Sequence, residues 1–219
     1  VSNFASPGLI DLPSGYRLPD GEIIVQQRFQ KTLFRSTLSS QITPRLNLSF
    51  SYSSQGPKRP FGTFSGTGLH RYLTGRINHD RSFHAHFNLW REGKYYPSVA
   101  FGLRDFVGTG WYSSEYIVGS KTFGDFQISV GLGFGRLAGK NTIGNPLKFI
   151  NSKFKTRGVN KIGVGGTISS YKTWFTGYAG LFGGATYKPN EKLSFTAEYT
   201  SDPMKYESDY IDLKSSWNL

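Results

Sequence analysis

The feature that most restricts the fold is a strict alternation of apolar residues with small or polar ones. From Phe126 to Phe134, every second residue is apolar, and only Gln, Ser and Gly stand between them. A period of two places the apolar side chains on one face of a β-strand and the remaining side chains on the other. The same pattern recurs in four more segments, at 46–53, 83–90, 99–104 and 193–200.

The sequence predicts an all-β protein, because no segment shows the 3.6-residue apolar stripe of an amphipathic helix. Weaker alternating runs lie near 22–30, 32–41, 63–70, 113–121, 158–170, 174–187 and 209–219. Together the runs predict about twelve strands of roughly ten residues, the usual length of a tilted membrane-spanning strand. We expect surface loops over 137–157 and 73–80, where alternation is absent.

Alternation alone is also compatible with a soluble β-sandwich, which turns every second side chain towards a core. The face opposite the apolar one distinguishes the two folds. Here that face carries mostly Gly, Ser, Thr, Asn and Gln, whereas a solvated face usually carries Lys, Glu and Asp. The pattern therefore favours an antiparallel transmembrane β-barrel with a narrow lumen over a sandwich. We expect this barrel to span residues 21–219, preceded by an irregular, proline-rich segment at 1–20 that lies at its rim or plugs it.

The charge balance predicts an anionic partner. The chain has 26 Lys and Arg against 14 Asp and Glu, a formal net charge of +12. If the apolar faces point outwards, eight charged residues of the strands point into the lumen: Arg28, Arg35, Arg104, Glu115, Lys121, Lys161, Glu198 and Lys214. These residues are compatible either with a charge network that fills the lumen or with a path for a polyanion. Lysines of the 137–157 loop are candidates for contact with anionic lipopolysaccharide.

Signatures of catalysis and of metal binding are weak. His84 and His86 share one strand face, but no cysteine and no third ligand accompany them, so we predict neither a metal site nor a cofactor. A hydrolase that combines His84, His86, Ser114 and Glu115 from neighbouring strands remains an alternative to a protein with no catalytic residues. No motif for nucleic-acid binding is present, so nucleic acid is not an expected partner.

A series of sequence motifs begins at Gly8-Leu9-Ile10-Asp11-Leu12-Pro13 and runs in order to Asn218. It includes the segments 80–83, 96–106, 108–110 and 131–137. In these motifs the chain resembles the YjbH-type (GfcD-like) outer-membrane proteins of exopolysaccharide and capsule systems, and the resemblance covers nearly the whole chain. Motif positions for which it implies a structural role are Gly8, Asp11, Pro13, Asp80, Arg81, Asp105, Gly108 and Gly110.

This resemblance implies a protein of the Gram-negative outer membrane that takes part in secretion of extracellular or capsular polysaccharide, without a known catalytic residue set. Its expected partners are the polysaccharide, lipopolysaccharide or other outer-membrane lipid, and other envelope proteins of the system. We expect the protein to act by passage or binding of the polymer, and the alternative is a closed barrel that anchors a secretion complex. Members of the family are much longer, so we expect this chain to be the first half of a two-barrel protein.

Overall fold

The computed structural model describes residues 1–30, 33–55, 78–158, 167–168, 171–203 and 217–218. The long strands in this part of the chain are β1 (Ile23–Gln30), β2 (Leu33–Gln41), β3 (Leu46–Gln55), β4 (Asn78–Trp90), β5 (Ser98–Gly108), β6 (Ser114–Phe123) and β7 (Phe126–Gly135). They are followed by β8 (Thr142–Ile143), β9 (Thr167–Ile168), β10 (Ala179–Asn190), β11 (Leu193–Tyr199) and β12 (Trp217–Asn218). Short 3-10 helices are Arg136–Ala138, Pro146–Phe149, Ser152–Lys155 and Tyr171–Thr173.

The strands form one antiparallel sheet in the order β1 to β7, then β10, β11 and β12. The short strand β8 pairs with β10, and β9 pairs with β5. In the described part of the chain, the edge strands β1 and β12 do not pair with each other. The prediction of an all-β antiparallel fold with little helix is thereby confirmed. No helix among the described residues is both long enough and apolar enough to cross a membrane.

Some of the boundaries expected from the sequence are corrected. The sequence predicts a loop at 73–80, but in the structure Asn78 already begins β4. The remaining part of this predicted loop, 73–77, lies outside the described residues. The predicted strand at 63–70 also lies outside them, as do most of 158–170 and 209–219. Residues 137–157 contain 3-10 turns and the two-residue strand β8, in agreement with a loop.

The connections alternate between the two ends of the sheet. Brief turns at 42–45, 91–97, 124–125 and 191–192 lie at one end, which we call the short-turn end. The three longest connections, at 56–77, 136–178 and 200–216, join strands at the opposite end, called the long-loop end. This difference in length is imposed by the sequence, which places turn residues such as Gly124-Asp125 between closely spaced strands.

The two faces of the sheet have the opposite polarity to those of a soluble protein. On the outer face, Val25 is 71% exposed, Val130 is 58% exposed and Phe195 is 59% exposed. On the inner face, the polar side chains of β2, β3 and β4 are buried: Thr37, Ser39, Gln41, Asn47, Ser49, Ser51, Ser53, Ser82, His84, His86 and Asn88. An outer apolar face and an inner polar face match the assignment made from the sequence.

Residues 1–16 cover the inner face. Leu12, which is 1% exposed, packs into a small apolar cluster with Ala100, Tyr116, Val118, Leu137 and Phe182. Glycines on the inner face make room for the larger members of this cluster. A Cβ at Gly131 would lie 2.3 Å from the Phe182 ring, and one at Gly102 would lie 2.3 Å from the Tyr116 ring. The excess of glycine therefore permits side chains to lie flat against the inner face.

Candidate functional site

The backbone of the N-terminal segment is held by polar side chains of the inner face. The Glu198 carboxylate, 0% exposed, accepts hydrogen bonds from the backbone N–H groups of Ile10, Asp11 and Leu12 at 2.9–3.2 Å. Each of these N–H groups would otherwise be a donor without a partner in the interior. A single inner-face carboxylate thus fixes the turn through which the segment crosses the sheet.

A second set of contacts lies around Gly15. Its N–H donates to Ser120 Oγ at 2.7 Å, and its carbonyl accepts from Asn88 Nδ2 at 2.7 Å and from Ser98 Oγ at 2.6 Å. A Cβ at Gly15 would lie 2.3 Å from the Ser98 carbonyl oxygen, so only glycine permits this approach of the two backbones. These contacts hold the segment against three different strands.

Three arginines and two aromatic rings form an alternating stack on the inner face of the sheet. We call it the arginine–aromatic stack, and its order is Arg104, Phe4, Arg35, Tyr112 and Arg136. The guanidinium carbons of Arg104 and Arg35 lie 4.0 and 4.5 Å from the Phe4 ring centroid. Those of Arg35 and Arg136 lie 4.4 and 4.5 Å from the Tyr112 ring centroid. These distances are typical of cation–π pairs, which gain strength where water is excluded.

The described interior contains both basic and acidic side chains, some of them in ion pairs. Arg136 Nε donates to both carboxylate oxygens of Asp202, at 2.9 and 2.7 Å, and Arg28 pairs with Asp11 at 2.9 Å. Charged side chains of the described interior are Arg28, Arg35, Arg104, Arg136, Asp11, Asp80, Asp105, Glu198 and Asp202. Because this set holds four bases and five acids, the described interior carries no excess of positive charge, and this favours the charge network over the polyanion path, the two possibilities that the sequence left open.

Of the eight charged residues that the sequence predicts to point into the lumen, six are as follows, and Glu115 and Lys121 are treated separately below. Arg28, Arg35, Arg104 and Glu198 lie on the inner face, as expected, and contact the N-terminal segment. Lys161 and Lys214 lie outside the described residues. For all of these residues, polysaccharide binding stays a prediction.

For Glu115 and Lys121, the expected orientation is corrected, because both alternate with inner-face neighbours on β6. The Tyr116 hydroxyl is 2.8 Å from His86 Nδ1, and Ser120 Oγ is 2.7 Å from Ser129 Oγ. Glu115 and Lys121 therefore start from the outer face. The sequence rule failed here because β6 turns Tyr116 and Val118 inwards, against Leu12.

On the outer face, Glu115 anchors the connection between β7 and β10, residues 136–178. Arg157 Nη1 and Nη2 donate to the two Glu115 carboxylate oxygens at 2.6 and 2.9 Å, and the Phe175 N–H donates to the same group at 3.0 Å. The Phe175 ring meets Phe134 edge-on at 5.5 Å. The described parts of the β7–β10 connection around Arg157 and Phe175 thus lie against the ends of β6 and β7.

The two histidines are engaged by protein groups on both ring nitrogens. His84 Nδ1 accepts from the Asp105 N–H at 3.1 Å, and His84 Nε2 is 3.1 Å from Ser51 Oγ. His86 bridges the Tyr116 hydroxyl and the Tyr16 carbonyl oxygen. Glu115 lies on the opposite face, so the structure does not bring the suggested hydrolase residues together. Among the residues described, no three His, Asp or Glu side chains form a group that suits a metal ion.

The motif residues that carry the family resemblance shape two turns. Gly8 forms a bridge with Pro13, and a Cβ at Gly8 would lie 2.3 Å from the Leu12 carbonyl oxygen. In the turn between β5 and β6, Asp80 accepts from the Thr109 hydroxyl, and Asp105 Oδ2 accepts from the Tyr112 N–H. The remaining motif positions lie around these two turns: Asp11, Arg81, Gly108 and Gly110.

The arginine–aromatic stack was missed by reasoning from the sequence. Phe4, Tyr112 and Arg136 come from the N-terminal segment, the β5–β6 turn and a 3-10 helix, none of which shows alternation. Of these three residues, only Arg136 lay in a motif of the family resemblance, the one ending at Arg136-Leu137. Contacts between such distant, irregular segments depend on the completed sheet and leave no local period.

At the short-turn end, Glu92 is held ionised by its neighbours. Partial burial of Glu92 disfavours the charged form, but hydrogen bonds from Lys121 Nζ and from the backbone N–H and hydroxyl of Thr122 outweigh this effect and lower the pKa of Glu92 to about 2.

A carboxyl whose folded-state pKa is depressed stabilises the fold above its ordinary pKa, and this stabilisation is lost as the pH falls towards the folded-state value. We therefore expect the stability difference between wild type and Glu92→Gln to be constant from neutral pH to about 5 and to shrink progressively towards pH 2. Urea unfolding across this range measures it, and a pH-independent difference would contradict the assignment.

Comparison with known proteins identifies the family of this chain. The family model described as "Exopolysaccharide biosynthesis protein YbjH" matches residues 1–219. The chain is 30% identical over 222 residues to "Uncharacterized lipoprotein YjbH" of Escherichia coli (strain K12). The match covers 100% of this chain and 30% of the relative, so the chain spans less than a third of the relative's length. No solved structure matches significantly. The whole-chain match, together with the motif turns described above, shows that this chain belongs to the YjbH exopolysaccharide biosynthesis family.

Proposed function

We propose that this chain forms a transmembrane β-barrel of about twelve strands in the bacterial outer membrane and takes part in polysaccharide export. The observation that carries the proposal is the inverted polarity of the sheet. Val25, Val130 and Phe195 are more than half exposed on the outer face, while hydroxyl, amide and charged groups are buried on the inner face. Such a surface is unfavourable in water and suits a hydrocarbon environment, in which strands must pair all backbone groups.

Aromatic side chains support the same placement. At the short-turn end, Trp90, Tyr95, Tyr96 and Phe123 are 48%, 86%, 56% and 58% exposed. Aromatic residues are enriched where a membrane meets water. In outer-membrane barrels the short turns are periplasmic and the longer loops extracellular, so the proposal places the long-loop end outside the cell. The Escherichia coli relative is named a lipoprotein, which supports an envelope location.

In the proposed role, the protein contacts the exported polymer and other envelope proteins and catalyses no bond chemistry. The N-terminal segment and the interior charge network fill the inner face, which supports a barrel closed in its resting state. The closed form fits an anchor of a secretion complex. Passage of a polysaccharide through the barrel is the second candidate, and it would require residues 1–16 to leave the inner face.

Membrane fractionation tests the proposal directly. We expect the protein in the outer-membrane fraction, with a faster gel mobility before heating than after it, because a folded barrel resists the detergent. Deletion of its gene should abolish or strongly reduce the secreted polysaccharide. A product found in the soluble fraction, without a heat-dependent mobility change, would overturn the barrel.

Conductance separates the closed barrel from the channel. In a planar bilayer, the wild-type protein should show no sustained conductance, whereas deletion of residues 1–16 should produce a persistently open state. A matched deletion at the short-turn end, of Lys94 and Tyr95, serves as the control and should remain closed. Sustained conductance by the wild type would favour polymer passage.

A further inference from the structure

The excess positive charge is concentrated in one part of the chain. Residues 126–190 contain no Asp or Glu, and their basic residues are Arg136, Lys140, Lys148, Lys153, Lys155, Arg157, Lys161, Lys172 and Lys188. Because the described interior carries no excess of positive charge, the positive charge of the described residues lies at their more exposed positions. Most of the cations in this acid-free stretch belong to the β7–β10 connection, at the long-loop end of the sheet.

The tip of the β7–β10 connection, residues 145–155, has a defined structure. Asn145, 3% exposed, accepts from the Leu147 N–H and donates to the carbonyl oxygens of Phe154 and Phe175 at 2.9 and 2.8 Å. The 3-10 helices Pro146–Phe149 and Ser152–Lys155 therefore pack as a pair, and the Arg157–Glu115 ion pair fixes their base to the sheet. The tip presents its side chains in a fixed arrangement.

This ordered tip presents two large apolar side chains to the surroundings. Phe149 is 86% exposed and Ile150 is 78% exposed. Exposed cations flank them: Lys148 Nζ lies 5.1 Å from the Phe149 ring centroid, and Lys153 and Lys155 follow on the next 3-10 helix. Apolar residues next to lysines, with no acid nearby in the sequence, are typical of segments that lie in the headgroup region of an anionic membrane.

We propose that the tip binds the phosphate groups of the outer-leaflet glycolipid. Lys148, Lys153 and Lys155 contact the phosphates, and Phe149 and Ile150 insert at the boundary between headgroups and acyl chains. An acidic polysaccharide would use the lysines but would leave Ile150 exposed to water, so the lipid fits more of the observations. The inference rests on the proposed function, because it requires the long-loop end to face the outer leaflet.

Binding of diphosphoryl lipid A to the purified full chain in neutral detergent tests the proposal. We expect salt-sensitive binding, and the triple variant K148Q/K153Q/K155Q should weaken it by on the order of 100-fold, at roughly fivefold per lysine. The matched control K94Q/K188Q/K192Q removes three exposed lysines at the short-turn end and should bind as the wild type does. A second variant, F149S/I150S, should weaken binding without changing the dependence on salt.

Four outcomes would overturn the inference. They are equal binding by the triple variant and the wild type, equal binding of dephosphorylated lipid A, equal binding of phosphatidylglycerol vesicles, and preferential binding of a polyuronate. Heat-modifiable mobility is recorded for every variant, so that a variant that fails to fold is recognised. If the triple variant fails to fold, the binding of the F149S/I150S variant tests the inference instead. A protein that fractionates with the outer membrane but whose triple variant keeps full affinity would refute this inference alone. A protein absent from that membrane would refute the proposed function as well.

Discussion

Substitution of Glu198 by Ala is expected to release the N-terminal segment from the inner face. The carboxylate accepts hydrogen bonds from three consecutive backbone N–H groups, and no other acceptor of similar charge would replace it at the same place. Each of these partly or fully buried donors left unsatisfied costs roughly 1–3 kcal/mol, so we expect the free energy of unfolding to fall by at least about 3 kcal/mol. We therefore expect a lower urea midpoint and rapid proteolysis of the segment near residues 8–12.

Two variants make this test specific. Glu198→Gln keeps one acceptor oxygen and should show an intermediate loss of stability. Glu191→Ala removes an exposed carboxylate from the β10–β11 turn and should change neither the midpoint nor the cleavage. If cleavage of the segment in Glu198→Ala were as slow as in Glu191→Ala, Glu198 would not be the residue that holds it.

Substitution of Gly131 by Val is expected to disrupt a crowded part of the inner face. A Cβ there would lie 2.3 Å from Phe182 Cζ and 2.7 Å from the Ile117 carbonyl oxygen, so both the ring and the backbone would have to move. Overpacking of this kind costs about 1–3 kcal/mol, and here we expect the upper end because backbone is involved.

The control is Gly119→Val on the outer face. A Cβ at Gly119 would have Pro97 as its nearest neighbour, at 3.8 Å, which is ordinary van der Waals contact. Both substitutions add the same side chain to a glycine in a strand, so any common effect on strand propensity cancels. Unfolding midpoints measured for the two variants should differ clearly, and equal midpoints would show that Phe182 does not pack against the inner face as described.

Much of the fold was predictable because strand structure has a local period. The run from Phe126 to Phe134 predicts β7 within its observed bounds, and the weaker runs place β1 and β2 within a residue or two. The contrast between an apolar face and a face of small polar residues also predicted which face is buried. These properties depend on neighbours one or two residues apart, and the sequence displays them directly.

The candidate site was only partly predictable. Arg35, Arg104 and Glu198 were placed on the inner face from strand parity, but parity was assigned wrongly for Glu115 and Lys121. In β6, apolar residues stand on both faces, because Tyr116 and Val118 pack inwards while Ile117 remains 37% exposed. When both faces of a strand carry apolar residues, the alternation does not show which face points inwards.

The sequence by itself determined the class of fold, the chemistry of the two faces, the excess of basic residues and the family. Only the tertiary structure decided what fills the inner face and where the cations lie. The physical reason is the separation of the partners along the chain. Glu198 binds a turn that lies 186 to 188 residues before it, and the arginine–aromatic stack joins Phe4 to Tyr112 and Arg136. Such contacts form only when the sheet has brought its strands together, so no local sequence pattern predicts them.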